Sequence, residues 1–287
     1  MSEIQCVSEA RHILGEGPLW CAGEGRLYWF DIQGRRLAWL EPGGAEGGFD
    51  LPIRASAACV RSGGGLLLAT EAGLARFDTG SGDLEMAEPA DLGPGFRTND
   101  GKIDVAGRFW WSSMDDNGGE RPGVVYRTDP DGRTTPVLAA IHIPNTLSCN
   151  PAGDVLYLAD SRKQVLNAYP MDKQGELGPP RPFIDLTGED GAPDGSAVDE
   201  AGFVWNAQWG AWRLVRYAPD GRLDRIVPLP VAQPTSCAFG GPDLATLYVT
   251  SAREGLSPAA LAGQPLAGGL FAFRPGVKGL SLPLFEG

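Results

Sequence analysis

A unit built on short apolar strands recurs six times along this chain of 287 residues. Each unit begins with a turn rich in glycine or aspartate and continues into an aromatic or aliphatic strand, as in residues 25–29 (GRLYW) and 107–111 (GRFWW). Equivalent residues lie 39 to 48 positions apart, and they are Tyr28, Leu67, Trp110, Tyr157, Trp205 and Tyr248. One propeller blade has four strands in roughly 40 to 50 residues. The sequence therefore predicts an all-β fold, a six-bladed β-propeller in which residues 1–287 form a single domain.

Turn residues favour many short strands over helices. The chain contains 41 glycines and 24 prolines, and Pro-Asp-Gly turns close two of the units, at residues 130–132 and 219–221. No stretch combines a helical period with caps at both ends, so residues 257–262 are expected to form at most a single turn. A pair of unrelated β-sandwiches is the alternative fold, which six evenly spaced units fit poorly.

The last unit shows only three candidate strands, around residues 247–251, 269–273 and 280–284. The apolar N-terminal stretch 4–10 can supply the fourth. Its pairing in the last blade would join the two chain ends and remove an open sheet edge. The sequence thus predicts a propeller that is closed by its N-terminal strand.

Charge and cysteine content exclude several classes of partner. The formal net charge of -12 would repel nucleic acid and anionic membranes, and no run of 18 apolar residues occurs. The five cysteines are widely spaced without a CxxC pair, so neither a disulfide framework nor a thiolate zinc site is indicated. We expect a cytoplasmic protein with reduced cysteines and no obligate protein partner.

Oxygen donors recur just ahead of the inner strands, where a propeller gathers side chains at one mouth of its central channel. These donors are Glu16 in blade one, Asn99 in blade three, Asn145 in blade four and Asp194 in blade five, together with Arg97. Taken singly, an Asx-Gly pair is ordinary turn chemistry. Recurrence in several blades favours a metal site instead. An all-oxygen set suits calcium, magnesium or manganese, and zinc or iron(II) stay open.

The chain resembles the senescence marker protein, regucalcin and gluconolactonase family. The resemblance runs from about Leu14 to the C-terminus, and the order and spacing of its motifs make it specific. The segments that carry it are 14–20 (LGEGPLW), 97–102 (RTNDGK), 144–145 (PN), 193–195 (PDG), 235–241 (TSCAFGG) and 265–271 (PLAGGLF).

This resemblance implies a six-bladed propeller that hydrolyses a sugar lactone and binds one divalent metal. The family's metal-binding glutamate, asparagine and aspartate match Glu16, Asn145 and Asp194. The arginine and asparagine that hold substrate hydroxyls in the family match Arg97 and Asn99.

A further substrate contact of the family follows a methionine in blade three. Here the segment reads Met114, Asp115, Asp116 and Asn117. Animal members have glutamates in this region, so the resemblance leaves open which of Asp115, Asp116 and Asn117 contacts the substrate.

Lactone hydrolysis needs an electrophile at the ring carbonyl, a base for water and groups that hold the sugar. A metal can serve as Lewis acid and acidify its bound water. We expect Asp194 to be the general base, although a nearby cation lowers its pKa and weakens it. Arg97 and Asn99 would orient the sugar hydroxyls.

Other activities stay open as alternatives. Serine chemistry is disfavoured because the chain has two histidines and no G-x-S-x-G motif. His12 and His142 are expected to be structural or to border the cleft. A metal-dependent phosphotriesterase and a calcium-binding interaction propeller are the rival functions. Trp209 and Trp212 are candidates for a wall on which a sugar stacks, and the identity of that sugar stays open.

Overall fold

The structure, a computed structural model, describes residues 3–8 and 10–287. Within this part of the chain, 24 strands form six four-stranded antiparallel sheets. In chain order the strands are β1 (Gln5–Ser8), β2 (Gly15–Cys21), β3 (Arg26–Asp31), β4 (Arg36–Leu40), β5 (Glu46–Asp50), β6 (Ala55–Val60), β7 (Leu66–Thr70), β8 (Gly73–Phe77), β9 (Leu84–Pro89), β10 (Phe96–Ile103), β11 (Phe109–Asp115), β12 (Gly123–Thr128), β13 (Thr134–Ile141), β14 (Pro144–Cys149), β15 (Val155–Asp160), β16 (Val165–Pro170), β17 (Arg181–Asp185), β18 (Ala192–Val198), β19 (Val204–Trp209), β20 (Arg213–Tyr217), β21 (Leu223–Pro228), β22 (Pro234–Gly240), β23 (Thr246–Ser251) and β24 (Leu270–Phe273).

The six sheets are the blades of a propeller. Blades one to five each consist of four consecutive strands, from β2–β5 to β18–β21. The innermost strands β2, β6, β10, β14, β18 and β22 each contact the next, and β22 contacts β2, so the ring is closed. The predicted six-bladed β-propeller is confirmed. Each of the six equivalent residues of the repeat lies on the second strand of its blade.

The sixth blade has the strand order β1-β24-β23-β22, so its outermost strand comes from the N-terminus. Gln5 pairs with Ala272, and Cys6 with Phe271. The predicted N-terminal closure is confirmed over Gln5–Ser8. Of the predicted stretch 4–10, Glu9 lies outside the described residues.

The prediction of a strand at residues 280–284 is wrong. The chain around this segment makes only isolated bridges, at Gly279 and Phe285. The third strand of the last blade is instead the innermost one, β22. Since β1 already completes the sheet and Pro283 has no N–H to donate, the segment cannot extend a ladder. It lies across one end of the central channel.

The hydrophobic core lies between neighbouring sheets. Trp29, Trp110, Trp111 and Trp205 are each at most 2% exposed. Trp205 packs among residues of blades five and six, with Phe239 at a ring distance of 6.4 Å. Burial of one such side chain contributes on the order of 3 kcal/mol. These indoles therefore hold adjacent blades together.

Helical structure is limited to short turns. Helix α1 (Pro258–Ala262) begins after Ser257, whose hydroxyl accepts a hydrogen bond from the N–H of Ala260 at 3.2 Å. A 3₁₀ turn spans Ser161–Lys163. In the part of the chain that the structure describes, no helix has the length and apolar character needed to cross a membrane. All five cysteines lie in this part and are free thiols.

A β-bulge interrupts each innermost strand at the same place. The pairing shifts register in all six, between Glu16 and Leu19, Ala55 and Ala57, Thr98 and Gly101, Asn145 and Ser148, Pro193 and Ser196, and Pro234 and Cys237. A bulge bends a strand and redirects its side chains. The predicted residues Glu16, Arg97, Asn99, Asn145 and Asp194 thus lie at or beside the bulges. They are inside the innermost strands and not ahead of them. We call the end of the channel where the innermost strands begin the upper mouth.

Candidate functional site

Two glycines allow the innermost strands to approach closely at the bulges. Gly17 follows Glu16 and has a φ of +55°, and a Cβ on it would lie 2.3 Å from the carbonyl oxygen of Ser56. Gly195 follows Asp194, and a Cβ there would lie 2.1 Å from Oγ of Ser236. Glycine after each acidic residue is therefore needed for strand contact as well as for the bulge.

Three buried carboxyl groups face the channel at the upper mouth. Glu16, Asp100 and Asp194 come from blades one, three and five and are 6%, 2% and 6% exposed. Burial, and then the charge of Asp100, raises the pKa of Glu16 to about 8. Burial raises the pKa of Asp194 well above its usual range, and the charges of Glu16 and Asp100 add to the effect. The polypeptide alone does not compensate this negative charge.

Nearby cations reduce this repulsion only partly. Arg97 lowers the pKa of Glu16 and Asp194, yet its own ion pair, at 2.8 Å, is with Asp116. Lys102 donates instead to the carbonyl oxygen of Cys237, at 3.4 Å.

The donors at the upper mouth fit a hard divalent cation. Oδ2 of Asp100 is buried and has no hydrogen-bond partner among the described residues, and such an oxygen is costly unless a cation or proton satisfies it. Across residues 3–8 and 10–287, no three His, Cys, Asp or Glu side chains form a metal-binding group by themselves. The proposed set of Glu16, Asn145 and Asp194 adds a carboxamide oxygen to two carboxylates, which are donors that a hard divalent cation accepts.

Two carboxamides border the acidic cluster and bond to each other. Nδ2 of Asn99 donates to Oδ1 of Asn145 and to the carbonyl oxygen of Pro144, both at 2.9 Å. Nδ2 of Asn145 donates to Oγ of Ser161 at 2.8 Å. The structure thus brings together the candidate substrate contact of blade three and the candidate metal ligand of blade four.

The backbone beside the Asp194 carboxyl group is held from two sides. Oγ1 of Thr146 donates to the carbonyl oxygen of Asp194 at 2.8 Å, and Nδ2 of Asn206 donates to the same oxygen at 2.9 Å. Thr146 itself has a φ of +78° at the bulge of β14. This fixed backbone limits where the Asp194 side chain can point.

The three candidates after Met114 differ in their surroundings. Asp115 accepts hydrogen bonds from Arg121, at 2.7 Å from Nη2 and 3.1 Å from the backbone N–H, and these lower its pKa to about 2. Asp116 is bonded to Arg54 and Arg97. Asn117 is exposed. Asp115 is therefore directed into its own loop, whereas Asp116 lies beside the predicted substrate contacts.

Both histidines have structural contacts. Nδ1 of His12 lies 3.4 Å from Oδ2 of Asp31, and its ring meets Trp29 edge-on. Nδ1 of His142 lies 2.8 Å from the carbonyl oxygen of Gly119. These contacts fit the structural interpretation of the two residues.

Two of the tryptophans of blade five, Trp209 and Trp212, are accessible. Trp209 is partly buried, and Trp212 is 44% exposed with a φ of +58°. Their proposed contact with a sugar stays a prediction.

An apolar cavity lies at the other end of the channel. It has a volume of about 540 Å³, and the segment 280–284 covers it. Its apolar lining includes Leu19, Val60, Ile103, Val198 and Phe239. Since bond-breaking chemistry needs polar groups, we assign the candidate site to the carboxylates of the upper mouth and not to this cavity.

Comparison with known proteins decides the family. Residues 14–253 match the family model described as SMP-30/Gluconolactonase/LRE-like region. The chain belongs to this family. The matched range contains the innermost strands and all the candidate site residues.

Members of this family resemble the chain along its whole length. A 6-deoxy-6-sulfogluconolactonase from Pseudomonas putida is 37% identical over 291 residues, covering 99% of each chain. An L-arabinolactonase from Azospirillum brasilense is 38% identical, covering 98% of this chain and 95% of the relative. The solved structure of a calcium-binding protein, regucalcin, from Agrobacterium tumefaciens superposes with a TM-score of 0.93 at 35% identity, covering 98% and 96% of the two chains.

Sequence reasoning missed two residues of the site. Asp100 was present in the Asn-Asp-Gly motif of blade three, but such a motif is ordinary turn chemistry and gave no separate signal. Ser161 gave none, because it follows β15 and reaches Asn145 only through the fold. Both are recognised from burial and hydrogen bonds.

Proposed function

We propose that this chain hydrolyses an aldonolactone to the corresponding aldonic acid at the upper mouth, with a divalent cation held by Glu16, Asn145 and Asp194. The observation that carries the proposal is the buried cluster of Glu16, Asp100 and Asp194, whose negative charge the polypeptide does not balance. Groups with strongly perturbed pKa values in a cleft are candidates for function.

The predicted enzyme class, a sugar lactonase, is confirmed by full-length relatives that are named as lactonases. Those names include a sulfogluconolactone and an arabinolactone, which differ in substituents and hydroxyl groups. The proposal therefore commits to the class of aldonolactones and not to one sugar.

A cation in the proposed site would supply Lewis acidity to the ester carbonyl of the lactone. Asn145 would contribute its Oδ1, because its Nδ2 is already bonded to Ser161. Glu16 is bonded to the N–H of Gly17 at 3.0 Å through Oε2, which orients the carboxylate.

Asp194 is the proposed general base. Beside a cation its carboxylate would be ionised at neutral pH and could accept the proton of the attacking water. The hydrogen bonds of Thr146 and Asn206 to its carbonyl oxygen fix the backbone from which it acts. Burial excludes bulk water and thereby strengthens its interaction with charge that develops at the lactone.

Arg97 and Asn99 are proposed to orient the sugar. Arg97 is 5% exposed, and among the described residues none accepts a hydrogen bond from its Nη2. The two N–H donors of that nitrogen are therefore available to substrate hydroxyl oxygens. Asn99 lies beside Arg97, with which it shares a hydrogen bond of 2.8 Å.

A binding role for calcium without catalysis is the second candidate. It is favoured by the similarity to the regucalcin structure, which is described as that of a calcium-binding protein. A calcium ion would be bound by the same oxygens as the catalytic metal, so metal binding alone does not distinguish the two functions. Release of acid from a lactone distinguishes them.

The experiment is a pH-indicator assay over gluconolactone, galactonolactone, xylonolactone and arabinonolactone. Apo protein is reloaded in turn with calcium, magnesium, manganese, zinc or iron(II). Because lactones also open spontaneously, the rate of acid release in buffer with the same metal and no protein is subtracted. Metal-dependent acid release from at least one lactone supports the proposal. Calcium uptake without acid release from any lactone would favour the binding role instead.

A further inference from the structure

Both carboxylate oxygens of Asp116 are bonded to arginines, and the arginines come from different blades. Oδ1 accepts from Nε of Arg97 at 2.8 Å, and Oδ2 accepts from Nη1 of Arg54 at 2.7 Å. The carboxylate is 28% exposed. Burial alone would raise the pKa of Asp116, but Arg54 and Arg97 outweigh it and lower the pKa. Asp116 is therefore an ionised link between blades two and three.

Arg54 gives this link a fixed end. Its Nε donates to Oε2 of Glu71 at 2.7 Å, and its backbone N–H donates to Oε1 of the same residue at 3.1 Å. A third contact, at 3.3 Å, runs from Nη1 to Oε1 of Gln33 in blade one. With its guanidinium held at two points besides Asp116 and its backbone at a third, Arg54 is restrained from following Asp116 if that residue moves.

Arg97 is the other partner of Asp116, and it lies at the upper mouth. Its Nη1 donates to Oδ1 of Asn99 at 2.8 Å and to the carbonyl oxygen of Thr98 at 2.9 Å. Asp116 accepts the hydrogen bond of a second guanidinium nitrogen, Nε. A planar guanidinium that is bonded through two of its nitrogens has one orientation, and its third nitrogen then points in a fixed direction.

We propose that Asp116 is a positioning residue, which fixes the Arg97 guanidinium so that its Nη2 donors face the lactone, with Arg54 as the anchor. This inference rests on the proposed function of Arg97 as a substrate contact. It assigns to Asp116 a role different from the direct substrate contact that the family resemblance left open. Asp116 acts on the substrate only through Arg97.

A double-mutant cycle separates the two roles. The Michaelis constant for gluconolactone is measured for wild type, Asp116→Ala, Arg97→Ala and the double variant. We expect Asp116→Ala to raise KM about 10-fold while kcat changes less, because a charge-assisted hydrogen bond to Arg97 is lost. In the Arg97→Ala background the same change should alter KM less than about 2-fold.

Two results of the cycle would overturn the proposal. Equal effects of Asp116→Ala in both backgrounds would show that Asp116 contacts the substrate by itself. An unchanged KM in Arg97→Ala would show that Arg97 is not a contact through which Asp116 could act.

Two further variants guard against a general loss of structure. Arg54→Gln removes the anchor but leaves Asp116 beside Arg97, so we expect a smaller rise in KM that also disappears in the Arg97→Ala background.

The control is Asp224→Ala. Asp224 likewise accepts from a buried arginine, Arg216, at 2.9 Å, but on the outer part of blade five. Its loss should leave KM unchanged, and an equal rise in KM would contradict a specific role of Asp116.

Failure of the proposed function is distinguishable from failure of this inference. If wild type opens no lactone, the position of Arg97 is read from crystal structures of wild type and Asp116→Ala protein. A guanidinium that leaves Oδ1 of Asn99 in the variant supports positioning by Asp116. A guanidinium in the wild-type position contradicts it.

Discussion

Hydrogen bonds of defined direction connect candidate site side chains of blades three and four with the backbone of blade five. Arg97 donates to Asn99, Asn99 to Asn145, and Asn145 to Ser161, whose hydroxyl donates at 2.6 Å to the carbonyl oxygen of Pro193. A guanidinium can only donate and a carbonyl can only accept. The donor at one end of this series, Arg97, and the acceptor at the other, the carbonyl oxygen of Pro193, therefore determine which atom of each carboxamide is the oxygen and which the nitrogen. Oδ1 of Asn145 is turned away from Ser161 and is free to bind a cation with its second lone pair.

Ser161 is thus expected to matter for metal binding without touching the metal. In Ser161→Ala the acceptor for Nδ2 of Asn145 is lost, and the carboxamide can rotate. We expect the affinity for calcium or zinc, measured by isothermal titration calorimetry, to fall about 10-fold. The exposed Ser81 provides the control, since Ser81→Ala should leave the affinity unchanged. Equal affinities of wild type and Ser161→Ala would contradict the orienting role.

The candidate site could be predicted from the sequence only where a motif recurs. Glu16 and Asp194 were found because oxygen donors recur at the same point of several repeats, just ahead of the expected inner strands. Asp100 could not be distinguished from turn chemistry, since its electrostatic interaction with Glu16 of blade one and Asp194 of blade five arises only in the fold. The double pairing of Asp116 with Arg54 and Arg97 spans two blades and has no local signal.

At the scale of strands, two aspartates fix the chain where it enters the site. Asp31 ends β3, and its oxygens accept the N–H groups of Ile13 and Leu14 at 2.9 and 3.1 Å. Asp160 ends β15 and accepts those of residues 142 and 143, both at 3.3 Å. In blades one and four, the anchored segment thus leads directly into the innermost strand that carries a candidate metal ligand, Glu16 or Asn145.

The anchor in blade one gives stability a defined pH dependence. Burial opposes ionisation of Asp31, but hydrogen bonds from His12 and from backbone N–H groups outweigh it and lower its pKa to about 2. Because the folded pKa lies below the unfolded value of 3.8, the stabilisation is complete above pH 4 and is lost as the pH falls through about 2.

Asp31→Asn tests this dependence. At pH 7 we expect the free energy of unfolding to fall by about 2 kcal/mol, as urea titration measures it. Near pH 3 the difference between wild type and variant should be clearly smaller. A difference that stays constant from pH 7 to pH 3 would show that the charge of Asp31 is not its source.

Strand periodicity predicted the blades but not every segment. The six second strands were recognised because buried aromatic and aliphatic residues follow a turn in each repeat. Residues 280–284 show a similar apolar pattern, yet they cover the lower end of the channel. Leu282 and Leu284 are 39% and 49% exposed, so the apolar pattern did not report burial in a sheet, and the sequence alone could not distinguish a strand from a channel cover.

The whole molecule is closed by strands from both chain ends. Strand β1 is hydrogen-bonded to β24, so the N-terminus and the last blade form one sheet. The candidate site combines blades one, three, four and five, and its geometry therefore depends on the closed ring. Loss of the closing strand would expose an edge and weaken the ring.

Deleting residues 1–10 removes β1 and should lower the melting temperature markedly, by roughly 5 to 10 °C, if a few kcal/mol are lost. Differential scanning fluorimetry measures this. A deletion of residues 1–3, which leaves β1 in place, serves as the control and should melt like wild type. An equal melting temperature for both deletions would argue against closure by β1.

The central claim is that the oxygen cluster at the upper mouth opens a lactone. It is tested most directly by titrating acid release in a pH-stat, with protein reloaded with the metal that gives the highest rate. Wild type should turn over an aldonolactone, while Asp194→Ala and Glu16→Gln should lose at least about 100-fold in kcat/KM and remain folded. Substantial turnover by metal-free Asp194→Ala would contradict the account.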